Sequence, residues 1–458
     1  MDFDNEAIIS QVEELAAQRK WPALRDLLAP LPAADIALIL SELPEDRLPL
    51  LYRLLPKELA AEVFVEMEPE EQELLIRSFS DTELKEVLDE LYVDDTVDII
   101  EEMPANVVKR ILQHADPETR RSVNEILKYP EDSAGSIMTT EFVDLKRGLT
   151  VEDAIKHIRR TGTDKETINI CYVTDPSRHL LGIVSIRTLL LSEEDDGIED
   201  IMDTNVVYAR TMDDKEDVAQ TLSKYDFLAL PVVDTEDRLV GIVTVDDAMD
   251  VMEEEATEDF ERMAAILPTD KPYLRTGVWE TVKSRLPWLL LLMLSATLSG
   301  LVINSFENSL ATYSVLIGFI PMLTGTGGNS GSQSSVAVIR GLSLNEIDFG
   351  DLFAVVWKEC RVAVVCGVCL AAANFVKMLL VDRMLFQNPE VTAGVAAVVC
   401  LTLIGTVTCA KTVGCILPML AEKLGFDPAV MASPFISTVV DALSLLIYFQ
   451  FARLVLGI

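Results

Sequence analysis

A run of 32 residues, Asn308 to Ile339, contains no charged side chain. A run of that length and character reads as membrane-embedded. Its centre, "PMLTGTGGNSGSQSSVAVIRG" (residues 321–341), places Gly325, Gly327, Gly328 and Gly331 within seven residues, among Asn329, Ser330, Ser332 and Gln333. Glycines at that density predict a broken helix. Broken backbone at membrane depth persists only where it lines a water-filled cavity or is buried in protein. Glycines there let carbonyls turn inward, and Asn, Ser and Gln supply oxygens, which is how a permeation path is built. The segment is no phosphate loop. No Gly-Lys-Ser/Thr follows it, and Ser330 stands where a GxGxxG motif needs its third glycine.

Charge divides the chain. Residues 271–458 hold 11 acidic and 12 basic side chains, whereas residues 1–270 hold 64 and 26, a net charge of −38. The first part reads as a soluble acidic body that attracts cations and repels nucleic acid. Its start, "MDFDNEAIIS", lacks a basic n-region, so a cytosolic location is expected rather than secretion. Of the seven cysteines, only Cys171 lies in the acidic part, and no CxxC…CxxC metal spacing occurs.

Five spans are expected: Leu286–Phe306, Asn308–Ile339, one centred on Val362–Val376, one from Val391 to about Leu420, and Pro428–Ala452. Lys271, Arg275, Lys283 and Arg285 flank the first, and Arg340, Lys358 and Arg361 separate the second from the third. The positive-inside rule then puts the N-terminal body in the cytosol and the C-terminus outside. Asp441, in "SPFISTVVDALSLLIYF", is a mid-span carboxylate and hence a functional candidate, with Ser437 and Pro434 about one and two turns before it. The competing expectation is an ion pair with Lys411, which otherwise snorkels towards the cytosolic face.

Residues 34–130 repeat at about 12 residues, as in "LPKELAAEVFVE", "FSDTELKEVLDE" and "MPANVVKRILQH". Pro or Asp near each first turn and one apolar face per unit read as short stacked helices, an α-solenoid. A second repeat follows. "IMTTEFVDLKRGLTVEDAIKHI" from Ile137 is echoed by "IMDTNVVYARTMDDKEDVAQTL" from Ile201, and "LLGIVSIRTLL" by "LVGIVTVDDAM". This β-α-β-β-α pair resembles tandem cystathionine-β-synthase (CBS) modules over residues 137–252. Such modules often bind adenosine nucleotides. The second copy fits that pattern with Thr244 and Asp247, whereas the first has Ser185 and Thr188. Arg187 and Phe227 complete the candidate nucleotide set, with ATP as the expected ligand.

Beyond it, Asp247, Asp250, Glu254, Glu258 and Glu261 fall on one helical face, where like charges repel. With Asp259 beside them, Asp94, Asp95 and Asp98 in the solenoid, and Asp214 and Asp226 in the module pair, they are candidate Mg²⁺ ligands, since hard cations take carboxylate oxygens and water.

The order of solenoid, CBS pair, acidic connecting helix and five spans resembles the MgtE family of magnesium channels. "GTGGNSGSQS" and "SPFISTVVD" are similar to that family's pore signatures, although Ser332 stands where some members have Asn. The resemblance implies a multidomain membrane protein: an acidic α-solenoid N domain (1–130), an α+β tandem CBS domain (131–252), an acidic connecting helix (253–277) and an all-α five-helix transmembrane domain (278–458). It implies a homodimer in the lipid bilayer of the cell membrane, Asp441 at the ion site, Gly325, Gly328, Asn329 and Ser332 lining the pore, and cytosolic Mg²⁺ sites that hold the channel shut. Other classes fit less well. A zinc protease needs HExxH, but His114, His157 and His179 all lie in the acidic part. An acidic pore residue argues against an anion channel. A Mg²⁺-sensing scaffold without transport and a broader carrier of Co²⁺, Ni²⁺ or Mn²⁺ remain as alternatives.

Overall fold

The structure, a computed structural model, describes residues 5–269, 273, 276–306, 313–431 and 433–457. Lys271, Arg275 and Asn308 of the expectations above lie outside them. The chain divides into two compact units, 1–253 and 254–458.

The first unit begins with ten helices. After α1 (Asn5–Ala17) and α2 (Trp21–Leu28) come α3 (Ala33–Ser41), α4 (Leu48–Tyr52), α5 (Lys57–Val65), α6 (Pro69–Ser78), α7 (Asp81–Leu88), α8 (Val93–Glu102), α9 (Ala105–His114) and α10 (Pro117–Ile126). From α6 onward each helix starts 12 residues after the one before it. The starts are chemical. Pro69 and Pro117 occupy the first turn of their helices, Ser80 and Glu83 form a capping box, and Asp116 accepts from the backbone N–H groups of Glu118 and Thr119. Alternate helices touch, α3 with α5 and α7 with α9, α4 with α6 and α6 with α8. Each helix therefore buries its apolar stripe between its second neighbours, and Leu28, Ile36, Leu51, Phe64, Leu75, Val97 and Ile111 form one core.

Two copies of one β-α-β-β-α unit follow. The first is β1 (Phe142–Lys146), α11 (Val151–Thr161), β2 (Thr167–Thr174), β3 (Leu180–Ser185) and α12 (Ile186–Leu191), with a single turn, α13 (Ile198–Ile201), after it. The second is β4 (Ala209–Arg210), α14 (Lys215–Tyr225), β5 (Ala229–Val233), β6 (Leu239–Thr244) and α15 (Val245–Met263). In both sheets the entry strand pairs parallel with the middle strand and the last two pair antiparallel. The copies join by reciprocal bridges, Thr139 with Ile242 and Ile183 with Asp203. Met138 and Val243 share the solenoid's core, so module pair and solenoid are one packed body.

The second unit receives the end of α15. That helix stops at Met263, short of the expected 277. Ala265 takes a left-handed backbone (φ 56°), and Pro268 follows. The remaining helices are α16 (Val278–Ser295), α17 (Thr297–Ser305), α18 (Ile320–Ser343), α19 (Leu352–Lys377, running on as a π-helical stretch to Leu385), α20 (Ala393–Lys423) and α21 (Ser433–Leu456). Among the described residues, four segments are long and apolar enough to cross a membrane: Val278–Ser305, Phe349–Leu385, Ala393–Lys423 and Pro428–Leu456. The helix α18 adds 24 residues, uncharged as far as Ile339.

The glycine segment is therefore not broken. All of "GTGGNSGSQS" lies inside α18. Without water to compete for the backbone, helical hydrogen bonds are kept at membrane depth, and the glycines serve contact instead. A Cβ on Gly414 of α20 would stand 2.3 Å from the carbonyl oxygen of Gly331, so these two backbones touch. Gly327 faces Thr406, Val440 and Ser444, and Gly331 faces Ile436. From these contacts α18 and α20 run parallel, while α21 runs antiparallel against α18.

Candidate ion pathway and carboxylate cluster

On α18 the contact glycines leave another face open. Gly325, Asn329, Ser332, Gln333 and Val336 recur every three or four residues, and the last four line an open recess. A Cβ on Gly325 would meet nothing within 4 Å. Gly328 is different from what the sequence suggested. It is buried, and a Cβ there would lie 3.1 Å from the Ser437 hydroxyl of α21. Three of the four expected lining residues thus share the open stripe, and the fourth packs helix on helix.

Asp441 sits on α21 beside Val440 and between Ser437 and Ser444, the residues that meet Gly327 and Gly328. It is half-buried and lies eight residues, about 12 Å, from the start of its helix. The expected alternative pair with Lys411 does not form. The Lys411 ammonium lies 3.5 Å from Glu359 of α19 and 3.0 Å from the Ser334 hydroxyl, and it is 6% exposed, so it does not snorkel either. Glu359 was hidden in the sequence by Lys358 and Arg361, which made its surroundings read as a charged helix end.

In the first unit a second acidic site forms around α8. Asp94 and Asp95 occupy its first turn, where the helix dipole favours negative charge, and Asp98 follows one turn later. Asp247, near the start of α15, joins them, as do Asp246 and two residues the sequence did not single out, Glu141 and Glu166. Glu141 accepts from the Val93 N–H at 3.2 Å and from the Thr139 hydroxyl at 2.8 Å, which ties the module pair to α8. Burial and then the neighbouring carboxylates push Asp94, Asp95, Asp98, Glu166 and Asp247 up. Asp94 is held well above the usual range, Asp98 and Glu166 reach about 8, and Asp95 and Asp247 about 6. One oxygen of Glu166 is buried without a hydrogen-bond partner. Such a cluster favours either protons or an added cation. Among the described residues no three acidic, His or Cys side chains converge to hold a bare ion.

The other expected ligands disperse. Asp214 caps the start of α14 by accepting from the Glu216 N–H at 2.9 Å. Asp226 ends the same helix in a left-handed conformation (φ 53°), about 18 Å away. Asp250 and Glu254 lie on the exposed middle of α15. Glu258 and Asp259 belong to the second unit, where α15 meets the membrane helices. Glu258 pairs with Arg262, which also binds Asp427 just before α21, and the Ser343 hydroxyl at the end of α18 donates to Asp259 at 3.2 Å. Met263 packs on Ile339 and Ala429.

Of the expected nucleotide residues, Thr244 and Asp247 are joined, the hydroxyl donating to the carboxylate at 2.5 Å. Phe227 stacks on Tyr225 with ring centroids 5.3 Å apart. Arg187 lies exposed on α12 of the other module.

Residues 320–451 match the family model described as a divalent cation transporter, residues 31–132 the MgtE intracellular N domain, and 134–194 and 198–254 the CBS domain. The magnesium transporter MgtE of Thermus thermophilus is 36% identical over 98% of this chain and 99% of its own length. The chain belongs to the MgtE family. The MgtE protein of Bacillus subtilis is 34% identical over 99% of this chain and 98% of its own. Among solved structures, the cytosolic domain of the Mg²⁺ channel MgtE in complex with ATP is 38% identical, covers 53% of this MgtE-family chain and 99% of its own, and superposes with a TM-score of 0.51. The soluble part of a magnesium transporter gives 32%, 55%, 100% and 0.52. The relatives matched along the full length are transporters, not enzymes. The family's N domain and CBS pair are the solenoid and the module pair described above, and its transporter domain is the bundle of apolar helices.

Proposed function

We propose that this chain carries Mg²⁺ across the cell membrane as a homodimer, and that Mg²⁺ on the cytosolic side closes it. The observation that carries the transport reading is a mid-helix carboxylate, Asp441, beside a polar open stripe on α18, in a chain whose full-length relatives are magnesium transporters. Mg²⁺ gives up its waters reluctantly. Asp441 from each subunit then holds the hydrated ion through its shell, while Asn329 and Ser332 offer further oxygens. In this arrangement the acidic unit is cytosolic and the C-terminus of α21 lies outside.

Closure follows from the carboxylate cluster. Asp94, Asp95 and Asp98 belong to the solenoid and Asp247 to α15, so an added cation draws the two elements together by its greater affinity for the drawn-together form. Asp214, Asp226, Asp250, Glu254, Glu258 and Asp259 are further candidate ligands in this scheme. The same helix, α15, ends against α18 and the loop before α21, so a shift at its start reaches the helices that carry the ion stripe and Asp441. Adenine nucleotide binds the second module through Thr244 and Asp247, with Phe227 and Arg187 beside it, a reading supported by the ATP complex of the related cytosolic domain.

Purified chain in proteoliposomes tests the transport reading. Mg²⁺ uptake by the parent and none by Asp441→Asn is the expected result. No uptake by a folded, inserted parent would leave only a sensor scaffold. Equal uptake of Co²⁺, Ni²⁺ or Mn²⁺ would support the broader carrier that the family model's description allows.

A further inference from the structure

Three membrane helices share a buried polar knot that the ion stripe does not use. The Ser334 hydroxyl of α18 donates to Glu359 of α19 at 2.6 Å and accepts from the Lys411 ammonium of α20 at 3.0 Å. Lys411 and Glu359 lie 3.5 Å apart, and Ser334 is 1% exposed. We infer that Glu359 and Lys411 are positioning residues for ion passage: by gripping Ser334 they fix the rotation of α18, so that Asn329 and Ser332 face the open side. The inference rests on the transport reading above.

Two features of α18 make such a grip necessary. Its contact face is smooth along the centre, between the buried Leu323 and the buried Val338, Ile339 and Leu342. Gly327, Gly328 and Gly331 meet α20 and α21 with backbone alone, and a smooth face allows close approach without resisting rotation about the helix axis. Second, Ser334 lies on the far side of α18 from the stripe. At about 100° per residue it stands roughly 140° to 180° around from Asn329, Ser332 and Gly325. A directional hydrogen-bonded pin at the back therefore sets what the front presents. Stability alone does not explain the pair, because a buried ion pair does no better than well-packed apolar residues of similar volume. What it adds is register, the best-attested use of buried polar groups.

The test uses the full chain in proteoliposomes, recording maximal uptake rate and half-saturating Mg²⁺ beside the melting temperature. Ser334→Ala leaves both charges paired and removes the pin. It is expected to keep the parent's melting temperature and to transport several-fold more slowly. Glu359→Leu with Lys411→Met replaces the pair by apolar groups. It is expected to melt like the parent and to transport as slowly as Ser334→Ala, whereas a merely structural pair would recover transport along with folding. Ser334→Ala with the parent's rate and half-saturation would overturn the inference while the active parent upholds the transport reading. An inert parent would overturn both. If the double variant does not fold, Ser334→Ala decides alone.

Discussion

Asp441 and the acids around α8 make opposite use of a buried carboxylate. In the proposed pathway Asp441 stays available to a passing ion, and replacing it by Asn preserves shape while removing charge. The Asp441→Asn chain is expected to insert and melt like the parent and to show no Mg²⁺ uptake. Near-parental uptake would reassign the ion site. The acids around α8 are expected to reveal themselves through pH. Asp98 and Glu166 reach about 8 in the fold and Asp95 and Asp247 about 6, against about 4 in an unfolded chain. The folded state therefore binds more protons than the unfolded one across this window, and stability is lost as pH rises from about 4 towards 8. Thermal melts in EDTA are expected to fall over that range for the transition of the acidic unit. Added Mg²⁺ is expected to raise the melt most at pH 8, where the carboxylates are free of protons. A melt that rises with pH in EDTA would contradict the assignment. At this scale Asp441 was legible because one charge in an apolar run stands out, as were Asp94, Asp95 and Asp98, which sit together in "YVDDTVDI". Glu141, Glu166 and Glu359 were not, because only the fold brings them to their partners from distant parts of the chain.

The helix α18 shows how an element can be expected and its chemistry misread. Four glycines in seven residues predict a break by propensities measured in water. In the bilayer the backbone has no competing solvent, and Gly327, Gly328 and Gly331 instead let three helices meet. Their effect is directional. Gly414→Ala puts a methyl group 2.3 Å from the Gly331 carbonyl oxygen, and overpacking of this kind costs roughly 1–3 kcal/mol. Gly325→Ala adds its methyl group to open space. In detergent, Gly414→Ala is expected to melt well below the parent and Gly325→Ala close to it. Equal melts would mean that α18 and α20 do not touch at these glycines. Regular elements were the more legible ones. The 12-residue period gave the solenoid helices, and the duplicated "GIV" strands gave the two sheets, because each repeats one chemical pattern. The end of α15 was missed by 14 residues, since Ala265 turns the backbone left-handed, and Pro268 follows, only a few residues past the last acid of the stripe, Glu261.

At the scale of the whole molecule, α15 carries Asp247 of the carboxylate cluster near its start and Met263, which packs on Ile339 of α18, at its end. The net charge of −38 over residues 1–270 gives the elements there a reason to repel. Two unit charges about 4 Å apart near a protein surface interact by roughly 4 kcal/mol at an effective dielectric near 20. A few bridged pairs are therefore enough to decide between two arrangements. Neutralising Asp94, Asp98 and Asp247 together to Asn removes both the repulsion and the bridge, so the variant's flux is expected to lose its dependence on cytosolic Mg²⁺, whichever arrangement it adopts. The most direct measurement is flux through the parent chain while Mg²⁺ on the side of the acidic unit is raised from micromolar to millimolar. The account predicts a reversible fall in flux for the parent and a flat response for the triple variant. A parent that conducts undiminished at millimolar Mg²⁺ on that side would contradict it.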